Sequence, residues 1–160
     1  MSTAIIEQSQ PPLTYEEERG KPMPSYNHGI IQANLIGEFL KHREYRVVSE
    51  LSLELDGRPL TPDLSIYHRQ PLDVRHDEIK RTEPPLLTVE ILSPTQGTHS
   101  VMEKIEYCLH AGVKTCWLVN PPTRTITIYT ADGTDRTFLP GQQAIDPAIG
   151  VTADVTAVFS

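Results

Sequence analysis

Residues 86–94 read LLTVEILSP, a run of strand formers interrupted by a single carboxylate. Leu86, Leu87, Val89, Ile91 and Leu92 suit a strand with both faces covered, and Ser93-Pro94 ends it. The next apolar pattern has a different period. Val101, Ile105, Cys108 and Leu109 form a stripe on a helix expected over Thr98–Ala111, with Gly112 suited to its C-terminal cap. Cys116–Asn120 is then a second buried strand, stopped by Pro121-Pro122. Strand, helix and strand in this order predict a parallel pair joined by a right-handed crossover.

Working outward, Ser25 or Asn27 caps a helix expected from about His28 to His42. Ile30, Ile31, Leu35, Ile36, Phe39 and Leu40 lie on one broad face, and His28 projects to that face too. A strand follows up to Leu55, then a turn signal at Asp56-Gly57, then a strand over Pro62–Tyr67. Residues 68–84, rich in charge and proline, read as a loop with a short helical turn. Beyond Asn120 the spacing predicts a hairpin, Thr125–Thr130 and Arg136–Leu139 around Asp132-Gly133, and a last apolar segment, Val151–Phe159. The order helix, three strands, helix, strand is a mixed α/β domain, one central sheet with helices against its faces and a C-terminal β appendix.

The 160 residues suit one domain with a real core, expected over 26–160 behind an irregular proline-rich arm at 1–25. With 38% hydrophobic and 22% charged residues the chain is not compositionally disordered. No apolar run reaches the length of a membrane span, which points to a soluble cytoplasmic protein. Cys108 and Cys116 make neither a disulfide framework nor a CxxC metal spacing and are expected in the core. A net charge of −7 argues against a protein that coats nucleic acid by bulk electrostatics, but not against a nuclease that neutralises its own carboxylates with divalent cations.

The chemistry starts from Glu90, because an ionised side chain in an apolar strand is costly unless a cation meets it. Asp63 is a second acid beside an apolar strand. If the two strands are neighbours, the carboxylates converge into an oxygen site suited to Mg²⁺ or Mn²⁺. Lys104 sits at the edge of the helical stripe among Val101, Ile105 and Cys108, where a long side chain can reach back to the strand ends. Taken singly these residues have plainer readings: Asp63 as a turn residue, Lys104 as a solvated charge, His28 as a core histidine, His99 as a loop histidine. Glu103 and Glu106 read as surface residues, and Trp117 and Tyr107 as packing groups.

PDLSIY at 62–67, LLTVEILSP at 86–94, Lys104 and AGVKTCWLVNP at 111–121 together resemble the Uma2 family (DUF820) of endonucleases, over about residues 25–130. That family is similar in turn to the PD-(D/E)xK nucleases, whose restriction-endonuclease-like core has the order αβββαβ. The resemblance implies Asp63 and Glu90 as metal-binding acids, the Ile91 backbone carbonyl as a further ligand, and Lys104 as the catalytic lysine. The common motif has its lysine where this chain has Leu92, so the lysine has moved to the following helix. Family members commonly carry an aspartate where this chain has Ser100. Glu50 and His28 also stand at family-typical positions and count as accessory candidates.

The implied activity is metal-dependent hydrolysis of phosphodiester bonds in DNA, by a protein that acts as a homodimer. One alternative is an inactive nuclease fold retained as a nucleic-acid-binding or protein-interaction module. Another is an unrelated hydrolase using the same carboxylates.

Overall fold

The computed structural model describes residues 23–160 together with Pro11, Pro12, Thr14 and Glu17. The expected N-terminal arm therefore lies largely outside the described residues. Helix α1 spans Tyr26–Phe39. The Ser25 hydroxyl accepts the His28 N–H at 3.2 Å, so of the two capping candidates Ser25 is the one used. The helix ends earlier than expected, at Phe39 rather than near His42.

The chain then forms β1 (Tyr45–Ser49), β2 (Ser52–Leu55), β3 (Arg58–Leu60), β4 (Leu64–His68), β5 (Lys80–Arg81) and β6 (Leu87–Ile91). Helix α2 (Thr98–His110), β7 (Thr115–Asn120), β8 (Thr125–Thr130) and β9 (Asp135–Phe138) follow, and β10 (Gln143–Ile145), β11 (Thr152–Asp154) and α3 (Val155–Val158) close the chain. Six strands build the main sheet in the order β1-β4-β6-β7-β8-β9. Within it β4 is antiparallel to β1 and to β6, whereas β6 and β7 are parallel across α2. Leaving aside the small sheet, the order α1-β1-β4-β6-α2-β7 is the αβββαβ core.

The strands depart from the sequence reading in several details. The strand expected to run to Leu55 is broken at Glu50, whose φ of 54° lies in the left-handed region. The Glu50 N–H bonds instead to the Asp63 carbonyl at 3.0 Å. This break hands the chain from the main sheet to a second, three-stranded sheet ordered β3-β2-β5. The Asp56-Gly57 turn is real but joins β2 to the unexpected β3, and β4 starts at Leu64. Residues 68–84 contain no helical turn; they carry β5, which pairs in parallel with β2.

Side-chain alternation divides the interior between the faces of the main sheet. Leu64, Ile66, Leu87, Val89, Ile91, Trp117 and Val119 point to one face, against Ile31, Leu35 and Phe39 of α1 and Val155 and Val158 of α3. Phe39 meets Trp117 edge-on, ring centroids 5.1 Å apart. Each such side chain taken fully out of water is worth about 1.5–3 kcal/mol. On the opposite face Cys116 and Leu118 meet Val101, Ile105 and Cys108 of α2, with Leu53, Leu55 and Leu60 of the β2–β3 hairpin. Tyr107 fastens the hairpin to the helix, its hydroxyl donating to the Leu55 carbonyl at 2.7 Å. Gly112, at φ 106°, turns the chain out of α2 in a conformation that favours glycine.

Candidate active site

β6 is buried along its whole length, and its odd positions, Leu87, Val89 and Ile91, take the α1 face. Glu90 must therefore point to the α2 face, as Thr88 does, whose hydroxyl meets Cys116 Sγ at 3.2 Å. There Lys104 Nζ lies 3.1 Å from Glu90 Oε1, with the two side chains 12% and 5% exposed. Lys104 follows Val101 by three residues on α2, so the apolar stripe that docks the helix also delivers the ammonium to the strand. The cation that a buried Glu90 requires is thus present.

Asp63 immediately precedes β4, and the antiparallel register of β4 with β6 (Leu64 opposite Val89) brings it to the end of β6 where Glu90 stands. It is 1% exposed. Its Oδ2 accepts the Ile91 N–H at 2.7 Å, and its Oδ1 lies 3.1 Å from His28 Nε2. Its main chain is held as well: its N–H reaches the Val89 carbonyl at 3.0 Å, and its carbonyl accepts from Glu50 N–H and from Gln32 Nε2. Asp63 and Glu90 are thus at adjoining strand ends, with α1 reaching one of them and α2 the other.

His28 is buried against the site, Glu50 touches it through the backbone, and Ile91 supplies the N–H that orients Asp63. Ser100 is not part of this group. It is exposed, and its hydroxyl turns back to the Gly97 carbonyl at 3.0 Å. His99 is exposed and pairs with Glu103 at 3.1 Å. Gln32 was missed by the sequence reading, and the only signal for it is its place one helical turn after His28.

Behind Glu90 lie two free, buried thiols, Cys108 and Cys116. The hydrogen bond with Cys108 and then burial push the Cys116 thiol well above the ordinary cysteine value. The same hydrogen bond pulls the Cys108 thiol the other way, below the ordinary cysteine value.

The donor set suits a hard divalent cation. Mg²⁺ takes oxygen ligands, is commonly held by one or two carboxylates, and keeps several waters. Asp63 and Glu90 are the carboxylates, and Ile91 the main-chain carbonyl, that could hold such an ion. A carboxylate oxygen that accepts one hydrogen bond retains a second lone pair, so the Ile91 bond and the His28 contact would leave Asp63 lone pairs for a ligand. Among the described residues no three His, Cys, Asp or Glu side chains gather where together they could hold a metal ion. A groove of about 280 Å³, lined by Asn27, Ile30, Ile31, Pro121 and Arg124, opens beside the first turn of α1.

Comparison with known proteins agrees with this fold. No curated protein matches the chain. Among solved structures, a "putative nuclease belonging to DUF820" from Anabaena variabilis ATCC 29413 superposes with a TM-score of 0.74 at 25% sequence identity, covering 86% of this chain and 83% of that one. The profile of the Uma2 family, described as "Putative restriction endonuclease", matches residues 13–156, nearly the whole sequence. The chain belongs to the Uma2 family.

Proposed function

We propose that this protein is a divalent-metal-dependent endonuclease that hydrolyses phosphodiester bonds in DNA. The observation that carries the reading is the ion-paired, buried Glu90 at the strand end next to the pinned Asp63. In this reading Asp63, Glu90 and the Ile91 carbonyl hold Mg²⁺ or Mn²⁺. Bound there, the cation supplies Lewis-acid polarisation of a phosphoryl oxygen and lowers the pKa of a coordinated water. The chain's own contribution is positioning and charge. Lys104 holds Glu90 in place and sets a fixed positive charge beside the position where a phosphate would gain negative charge in the transition state. The low exposure of both partners keeps that interaction from being screened as a surface pair would be. Glu50 and His28 support Asp63 from either side. The same reading makes the protein a cytoplasmic homodimer, which would present two sites to the two strands of a duplex.

The alternative of an inactive binding module draws on Ser100, which adds no carboxylate to the site. Supercoiled plasmid incubated with Mg²⁺ or Mn²⁺ separates the two. Nicking by the wild type that is lost in Asp63→Ala, in Glu90→Ala and on chelation supports the enzyme. DNA retention without nicking supports the module. Nicking that survives Asp63→Ala combined with Glu90→Ala refutes the site.

A further inference from the structure

Resting on the metal-site reading above, we infer that the first turn of α1 is a positioning clamp for Asp63, with His28 as the residue that sets the carboxylate's orientation. Three observations carry this. First, the contact is specific and dry: His28 Nε2 lies 3.1 Å from Asp63 Oδ1, and the two side chains are 6% and 1% exposed. Second, the hold is double. One helical turn on, Gln32 Nε2 donates to the Asp63 carbonyl at 3.2 Å, so the same helix face grips both the side chain and the main chain of one residue. Third, the histidine is a costly choice for packing alone. Its Nδ1 is buried with no hydrogen-bond partner among the described residues. A buried polar atom left in that state costs about 1–3 kcal/mol. An apolar residue at this position would avoid that cost, so what histidine offers in return is the polar contact with Asp63.

The physical consequence is preorganisation. With the Ile91 N–H bonded to Oδ2 and the His28 ring nitrogen 3.1 Å from Oδ1, the carboxylate is contacted at both oxygens, which restricts rotation about its Cβ–Cγ bond. A ligand held this way meets a cation without first losing rotamer freedom, and partners that orient metal ligands typically matter ten- to a hundredfold in metal affinity. The Ser25 cap fixes the start of α1 on which His28 rides, since its hydroxyl takes the His28 N–H itself. His28 is a positioning residue here, acting through Asp63.

The test is calorimetric titration of Mn²⁺ into the full chain without DNA, for wild type, His28→Ala, His28→Gln and Asp63→Ala. Each variant is first checked for native melting. His28→Ala is expected to weaken Mn²⁺ binding about ten- to a hundredfold. His28→Gln, whose amide can donate to Asp63, is expected to recover most of the loss, which a merely structural role would not require. If His28→Ala fails to fold, the comparison of His28→Gln with wild type is replaced by imidazole ¹⁵N chemical shifts of metal-free wild type and Asp63→Asn. A His28 Nε2 resonance unmoved by Asp63→Asn overturns the clamp. Mn²⁺ binding that depends on Asp63 but ignores both His28 variants also overturns the clamp while leaving the metal site standing. Binding unchanged in Asp63→Ala overturns the metal reading, and the clamp with it.

Discussion

Replacing Lys104 by methionine keeps most of the side chain's length and removes its charge, leaving Glu90 in a pocket 5% exposed. At 3.1 Å and an effective dielectric constant of 20, two unit charges attract by about 5 kcal/mol. Desolvation of both groups offsets much of that attraction, so the intact pair is worth far less than this to the fold. Breaking it is another matter, because one partner then keeps its desolvation penalty with no compensation. Lys104→Met alone is therefore expected to cost about 3–5 kcal/mol. Glu90→Gln combined with Lys104→Met removes both charges and is expected to cost clearly less than the lysine change alone. Urea unfolding of the wild type, both single variants and the double variant closes a thermodynamic cycle.

The same variant reports on the cation. On the proposed function, a divalent ion held by Asp63 and Glu90 would take over the role of the missing ammonium, so Mn²⁺ at 100 times its dissociation constant is expected to return about 2.7 kcal/mol to Lys104→Met. A coupling energy below about 0.5 kcal/mol in the cycle would refute the reasoning, because pairs of that size are what exposed, screened charges give.

Three further outcomes are expected. Asp146 is buried and accepts from Thr115 Oγ1 at 2.6 Å, Trp117 Nε1 at 2.8 Å and the N–H groups of Ala148 and Ile149. Asp146→Ala strands those donors and is expected to cost about 3 kcal/mol or more in urea unfolding, while Mn²⁺ affinity of the folded protein stays at the wild-type value. Burial, opposed by the Arg81 guanidinium and aided by Glu83 and Glu78, raises the Tyr67 phenol to about 12. Because the folded value lies above the ordinary one near 10, Tyr67 contributes stability that is complete below pH 10 and is lost as pH rises through about 12. Alkaline melts should show that loss in the wild type and not in Tyr67→Phe. Ser100→Asp places a carboxylate in the first turn of α2, whose cap residue Gly97 offers no side-chain bond, and is expected to add about 0.3–1 kcal/mol in thermal unfolding.

The core of the fold was legible where strands are covered on both faces. Leu86–Leu92 and Cys116–Asn120 admit no other placement than the middle of a sheet, and the helix between them forces the pair to be parallel. Glu90 was legible for the opposite reason, as the residue that does not belong. The break at Glu50 was hidden because residues 47–55 alternate as one strand would. What ends that strand is a left-handed glutamate whose N–H is taken by a residue 13 positions later, a tertiary bond that leaves no local pattern. Strand β5 is two residues long, too short to carry any periodicity. Gln32 looks like any polar helical residue, and its role rests entirely on where Asp63 lies. Leu92 stands where the common motif has its lysine, and the structure places Lys104 of the helix 3.1 Å from Glu90.

The turn at Glu50 reaches further than the strand it ends. By leaving the main sheet there, the chain lays Leu53, Leu55 and Leu60 over α2 beside Val101, Ile105 and Cys108, the residues that surround Lys104 on its helix. The hairpin is therefore a roof over the apolar face of α2, and its fit bears on the surroundings of the Lys104–Glu90 pair. Changes in the length or packing of residues 51–60 would admit or exclude water above the ammonium and so tune the strength of the pair. Among homologous chains, then, two sites with the same acids and the same lysine can differ in electrostatic strength solely through the fit of that roof.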